Sequence, residues 1–133
     1  MSLTTRLAII CMEAVQGEDM RLHLEARLTN TGRRIVNISQ DQVESLAGNC
    51  YEVMGEDNKL KLVISTRFVW VQYRSMINVI NFLLGRAWSS VSSDQKRDLE
   101  AEAEIVCCNV DTIERVGGGG IRCMMAGIFA DRV

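Results

Sequence analysis

Short apolar segments alternate with helical ones along the chain, and this order constrains its fold more than any other feature of the sequence. The apolar segments have the length of β-strands and contain many isoleucines, valines and leucines. They occupy residues 6–12, 33–38, 49–54, 60–65 and 104–108. The turn sequence GEDNK separates the third and fourth of them and predicts a β-hairpin. Because helices are predicted between the other strands, the sequence predicts an α/β fold.

The first predicted helix is bounded by glycines. Gly17 precedes two acidic residues, which are favoured at the positive end of a helix. Met20, Leu24 and Leu28 recur every four residues and predict one apolar face. Gly32 follows at the position where a helix commonly ends, so the helix is expected to lie between these two glycines.

Serines mark the starts of two further helices. Ser39 is a good N-cap for a short helix within residues 39–48. Either Ser92 or Ser93 caps a helix over residues 94–103.

Charge and cysteine content exclude several classes of function for this one-domain chain of 133 residues. Fifteen Lys and Arg stand against seventeen Asp and Glu, so neither nucleic acid nor a membrane surface is an expected partner. The five cysteines form no CxxC pair and there is one histidine, so no metal site and no cofactor is predicted. The first fifteen residues do not resemble a secretory signal, which favours a cytoplasmic protein with reduced thiols.

Residues 68–86 differ in composition from the rest of the chain. They contain four of the seven aromatic residues and apolar stretches that are interrupted by Arg74, Asn78 and Asn81. A transmembrane helix is a poor interpretation, because the segment is short and carries a charge. A core helix is one alternative. The composition is better explained by an insertion at residues 68–86, and retained non-coding sequence or a gene-model error is our hypothesis for it.

The densest chemical signal is the run Gly117–Gly120 followed by Ile121, Arg122 and Cys123. Glycines allow the backbone to approach a ligand closely, and a thiol presented after them can act as a nucleophile once its proton is lost. The simpler alternative is a turn before a buried cysteine. A phosphate-binding loop is excluded, since no Gly-Lys-Ser/Thr follows.

The segment GGGGIRCMMAGIF resembles the catalytic-cysteine motif of the guanidino-group-modifying superfamily, which includes arginine deiminase, agmatine deiminase, dimethylarginine dimethylaminohydrolase and glycine amidinotransferase. The arginine deiminase-related, or citrulline-utilisation hydrolase, branch is the most similar. The segments AIICMEAV, TGRRIVNIS, QVESLAGNCYEV and VDTIERVGGGGIRCMMA resemble this branch in the same order. The resemblance covers nearly all of the chain except residues 68–86.

The resemblance implies a five-bladed α/β propeller built from ββαβ-like modules. At 133 residues this chain is expected to form a partial domain, the C-terminal portion with about two modules. The resemblance implies a fragment or a degenerate member of a cysteine hydrolase that acts on the guanidino or ureido group of an arginine- or citrulline-like small molecule. In that reaction a thiolate forms a covalent thiouronium-type intermediate, a histidine transfers protons, and carboxylates bind the planar nitrogens.

The resemblance carries over to five residues. Cys123 matches the nucleophile, and Gly118, Gly119 and Gly120 match the loop that shapes the approach to it. Asn49 matches an asparagine that begins an inward-facing strand, and it is expected to contact the substrate.

Other catalytic groups of the superfamily are not matched in this sequence. The superfamily's histidine precedes the segment AIICMEAV, and its carboxylates belong largely to preceding modules. His23 falls in the first predicted helix and is expected on its solvated face, while Gly127 stands where a glutamate is usual. The alternative is therefore a catalytically inactive α/β domain with a binding or structural role. Uncovered module edges would favour a homo-oligomer in either case.

Overall fold

A computed structural model describes residues 1–66 and 86–127 of the chain, which form two three-stranded sheets. The first sheet contains β1 (Ser2–Leu3), β2 (Leu7–Ile10) and β3 (Arg34–Asn37), in that order. β1 is antiparallel to β2, whereas β2 and β3 are parallel and pair from Leu7 with Arg34 to Ile10 with Asn37. Helix α1 (Glu18–Asn30) connects the two parallel strands. A second helix, α2 (Gln40–Glu44), follows β3.

The second sheet repeats the topology of the first. β4 (Tyr51–Met54) and β5 (Leu60–Thr66) form the predicted hairpin, and β6 (Glu104–Asn109) is parallel to β5. Helices α3 (Arg86–Ser90) and α4 (Ser93–Glu102) lie between β5 and β6 in sequence. Helices α5 (Asp111–Gly117) and α6 (Ile121–Met124) follow β6. Each sheet is thus a ββαβ unit, and the predicted α/β fold is confirmed.

One apolar core lies between the two sheets. Leu7 and Ile9 of β2 share it with Leu62 and Ile64 of β5, all of them almost fully buried. Leu99 of α4 and Ala87 of α3 contribute to the helical side of this core. Because successive side chains of a strand point to opposite faces of the sheet, the residues of β2 that alternate with Leu7 and Ile9 point away from this core.

Helix α1 covers that other face of the first sheet. Ala8 and Ile10 of β2 pack against Leu28, with Leu24 partly buried beside them. Met20 is 61% exposed, so the predicted apolar stripe is buried only towards the end of the helix. The 13-residue helix is about 20 Å long, whereas the four-residue strands β2 and β3 extend about 13 Å, so the beginning of α1 has no sheet to cover.

Two identical capping motifs hold the helices α2 and α4 side by side. Ser39 and Ser92 each accept a hydrogen bond from the backbone N–H three residues later, and Gln42 and Gln95 each bond back to their own serine's N–H. The two glutamine amides also bond to each other, at 2.8 and 3.1 Å. We call these four residues the paired capping boxes. They identify Ser92, rather than Ser93, as the N-cap of α4.

The predicted insertion at residues 68–86 lies outside the described residues, apart from Arg86, with which α3 begins. Within the described ranges, none of the helices combines the length and apolar character needed to cross a membrane.

Candidate functional site

Cys123 lies on the short helix α6, where its side chain is exposed. Its Sγ accepts a hydrogen bond from Asn49 Nδ2 at 3.1 Å, although the two residues are 74 positions apart in sequence. The backbone N–H of Cys123 donates to the carbonyl of Gly120 at 3.1 Å. The structure therefore brings two of the sequence-predicted site residues, Cys123 and Asn49, into direct contact.

Asn49 also holds the backbone next to the cysteine. Its Oδ1 accepts a hydrogen bond from the backbone N–H of Arg122 at 2.8 Å. The backbone N–H of Asn49 in turn donates to the carbonyl of Leu46, in the turn between α2 and β4. One amide side chain thus joins the first turn of α6 to the beginning of β4. The sequence indicated Asn49 and Cys123 separately, and no local pattern indicated this contact.

The glycines before Cys123 have different steric surroundings. Gly118 is the C-cap residue directly after α5, and its φ of 70° is a left-handed conformation that favours glycine. A Cβ on Gly119 would lie 2.9 Å from Cys123 Cβ and 3.1 Å from its Sγ. A Cβ on Gly120 would lie 2.9 Å from Asn49 Oδ1. Gly117, predicted as part of the loop, is instead the last residue of α5.

The surroundings of two of the other thiols, Cys50 and Cys107, favour the protonated form. Burial raises the pKa of the Cys50 thiol, which lies next to Asn49 in the sequence. Cys107 is exposed as a residue, but partial desolvation of its thiol raises the pKa of that group, and the neighbouring Cys108 raises it further. Both groups therefore favour the protonated, unreactive form, so they serve as internal references for the reactivity of Cys123.

A polar cleft of about 280 Å³ borders the site through Arg122. Arg33 and Glu52 also line it, so the cleft carries charges of both signs. The Glu52 carboxylate accepts hydrogen bonds from the backbone N–H and the hydroxyl of Thr5, at 2.8 and 2.7 Å. A larger cavity of about 550 Å³ lies at the paired capping boxes and includes none of the predicted site residues.

The remaining groups considered in the sequence lie in less informative places. His23 is exposed on α1, as expected, and Gly127 is exposed after α6. Across residues 1–66 and 86–127, no group of three His, Cys, Asp or Glu side chains is arranged to hold a metal ion.

Glu114 is a residue that the sequence did not single out. It lies on α5, just before the glycines, and is 6% exposed. Its carbonyl accepts a hydrogen bond from the N–H of Gly118, whereas no described residue bonds to its Oε1. The sequence did not predict the burial of Glu114. The residues around it, such as Ile113 and Arg115, do not show the spacing of apolar residues that marks the buried face of an amphipathic helix.

Comparison with known proteins identifies the family. The family model of the eukaryotic N,N dimethylarginine dimethylhydrolase matches residues 1–130. The chain belongs to this family. Membership confirms the guanidino-modifying superfamily that the motif at Cys123 indicated, but it does not support the arginine deiminase-related branch. No curated protein and no solved structure matches the chain.

Proposed function

We propose that this chain supplies the nucleophile of a hydrolase that acts on the methylated guanidino group of arginine, and that Cys123 is that nucleophile. The observation that carries the proposal is the contact between Cys123 and Asn49 beside the glycines, in a chain matched over residues 1–130 by the dimethylarginine dimethylhydrolase family. We propose methylated arginine, in place of arginine or citrulline, as the substrate because the matching family is named for it.

The chemistry follows from a thiolate and a guanidinium carbon. The Cys123 sulfur forms a bond to the guanidino carbon, the bond from that carbon to the dimethylated nitrogen breaks, and dimethylamine leaves after gaining a proton. Water then attacks the thiouronium carbon and loses its protons, and the carbon–sulfur bond breaks. The products are a ureido amino acid and a regenerated thiolate. Both steps, the formation of the thiouronium intermediate and its hydrolysis, need a group that transfers protons and groups that bind the planar nitrogens.

Those groups are proposed to come from outside the described site. The polar side chain that contacts Cys123 Sγ is the amide of Asn49, which is not a general acid or base at neutral pH. The two ββαβ units support the interpretation of this chain as two modules of a five-bladed α/β propeller whose other modules carry the histidine and the carboxylates. Five unpaired cysteines support a reducing, cytoplasmic location.

Turnover of N,N-dimethylarginine tests the proposed function. We expect no measurable dimethylamine or ureido product from residues 1–133 alone, since proton transfer by a positioned side chain is typically worth about 10²–10⁴-fold in rate. A version extended upstream through the histidine segment and the preceding modules should turn over this substrate. The same assay with citrulline, arginine and agmatine measures the preference among substrates.

Two controls make the turnover experiment decisive. Cys123→Ser in the extended version should abolish product formation, and turnover that survives this substitution would contradict the proposal. In the 133-residue chain, brief treatment with 2-chloroacetamidine followed by peptide mapping should label Cys123 faster than Cys11, Cys50, Cys107 and Cys108. Equal labelling of all five, together with an inactive extended version, would favour the alternative of a non-catalytic domain.

A further inference from the structure

The side-chain amide of Asn49 has a fixed orientation. The backbone N–H of Arg122 can only donate, so the amide atom 2.8 Å from it must be the oxygen. The NH₂ group of Asn49 then points to Cys123 Sγ at 3.1 Å. The orientation follows from the hydrogen-bond chemistry of the backbone and needs no assumption about the sulfur.

A fixed N–H donor beside a sulfur has a defined chemical effect. A sulfur that carries negative charge is a better acceptor than a neutral thiol, and hydrogen bonds to charged groups are roughly twice as strong as neutral ones. The donor therefore interacts more strongly with Cys123 as negative charge develops on Sγ. It also restricts the direction in which the sulfur lone pairs remain free to attack.

We propose that Asn49 is a positioning residue for the Cys123 nucleophile, which holds the sulfur with its NH₂ group and the backbone of α6 with its oxygen. This assignment rests on the proposed function, and it replaces the substrate contact expected for Asn49 from the sequence. Asn49 acts through the cysteine, and its influence on reactivity does not require a bound substrate.

The glycines support both ends of this contact. A side chain on Gly120 would displace Asn49 Oδ1, and a side chain on Gly119 would displace the Cys123 thiol. Because neither glycine has a Cβ atom, the Asn49 amide and the Cys123 sulfur can stay at hydrogen-bond distance. The glycine loop thus leaves room for the Asn49–Cys123 pair.

Asn49→Asp separates the two roles of the amide. The carboxylate can still accept from the Arg122 N–H, but it presents an oxygen instead of a donor to the sulfur. We expect alkylation of Cys123 by iodoacetamide at neutral pH to slow by about tenfold or more, since a hydrogen bond to a charged group is lost and a like charge is introduced. The difference in alkylation rate between this variant and the parent should narrow at alkaline pH, where hydroxide deprotonates the thiol in both proteins.

Asn37→Asp is the matched control. Asn37 Oδ1 accepts a hydrogen bond from the backbone N–H of Met12 at 3.0 Å, so the substitution keeps a backbone acceptor while it changes the charge away from the site. Alkylation of Cys123 should stay within about twofold of the parent in this variant. Buried Cys11 reports on folding, because its labelling rises only if the variant opens.

Gly120→Ala tests the same contact from the loop side and serves if Asn49→Asp does not fold. It should also slow alkylation of Cys123, because the new methyl group displaces Asn49 Oδ1. Unchanged rates in the folded variants, or a deficit that is constant with pH, would overturn the assignment. Iodoacetamide needs neither substrate nor turnover, so a failure of the proposed hydrolase activity would leave this result intact and distinguishable.

Discussion

The four glycines before Cys123 respond differently to the addition of a methyl group. Gly117 is the last residue of α5, where an added Cβ would make an ordinary van der Waals contact of 3.9 Å with the Ile113 side chain, whereas Gly119 lies against the Cys123 side chain. Alanine is favoured over glycine in a helix by about 0.5–1 kcal/mol, mainly because the unfolded chain loses conformational freedom. Two positions in one glycine run, Gly117 and Gly119, are therefore expected to give opposite results.

Gly117→Ala and Gly119→Ala form a matched pair for a test of this expectation. Thermal unfolding should show a small increase in melting temperature for Gly117→Ala. Gly119→Ala should lower it, since Cys123 Cβ would have to move from a contact of 2.9 Å at a cost of about 1–3 kcal/mol. Equal shifts in the two variants would show that the loop does not pack against the cysteine as described.

The sequence offered candidates for the site residues, but it did not predict how they contact one another. Cys123, Asn49 and the loop glycines were indicated by motifs, each of which is a local property of the sequence. The bond between Asn49 and Cys123 joins segments 74 positions apart, and local patterns carry no information about which turns meet. The position of Gly117 inside a helix was missed because four successive glycines are typical of a loop.

At the scale of secondary-structure elements, the paired capping boxes connect α2 to α4. Gln42 lies on the helix that follows the first ββαβ unit, and Gln95 lies within the second unit. Each amide also donates to a backbone carbonyl near the other box: Gln42 to Ser90 and Gln95 to Asn37, both at 2.6 Å. Each glutamine side chain therefore caps the N-terminus of its own helix and also bonds to the backbone near the N-terminus of the other helix. Removal of either glutamine should weaken both ends.

A double-mutant cycle measures this coupling. Gln42→Ala and Gln95→Ala should each lower the free energy of unfolding by about 1–2 kcal/mol, as the loss of a capping interaction does. Together they should cost less than the sum, with an interaction energy of about 0.5–1 kcal/mol, because each single variant already disrupts the shared bonds. Gln16→Ala, at an exposed position before α1, is the control and should have little effect. Strictly additive losses would contradict the coupling.

Most strands and the capped helices were predicted because their signals are local: apolar runs, serine caps and bounding glycines. Helix α5 was missed for a physical reason. Its apolar residues Ile113 and Val116 are 51% and 81% exposed, while Glu114 is buried, so its pattern is the reverse of an amphipathic helix that faces a core. Strand β1 has two residues, too few for any periodicity.

At the scale of the molecule, both sheets end in strands with an unpaired edge among the described residues. β1 and β3 flank the first sheet, and β4 and β6 flank the second. Exposed edges can pair with other chains, and exposed apolar side chains such as Val116 add to this tendency. A partial set of propeller modules would leave these edges uncovered.

We therefore expect the 133-residue chain to self-associate. Light scattering and sedimentation should show oligomers or aggregates whose amount rises with concentration, and calorimetry should show a broad unfolding transition. Lysine substitutions on β6, for example at the exposed Cys107, should reduce association because charges on edge strands oppose pairing. A monodisperse monomer with a sharp cooperative melt would contradict the interpretation as an incomplete propeller.

The separation of Asn49 and Cys123 in sequence has a consequence for the order of folding events. Between them lie the β4–β5 hairpin, α4, β6 and α5, so their hydrogen bond closes a long loop that contains the whole second sheet. Closing a long loop costs conformational entropy, which local contacts do not have to overcome. We therefore expect this contact to form late in folding, after the hairpin and the helices. Cys123 is then expected to acquire its hydrogen-bond partner only when the surrounding domain is complete, and a half-folded chain would carry this thiol without the Asn49 amide beside it.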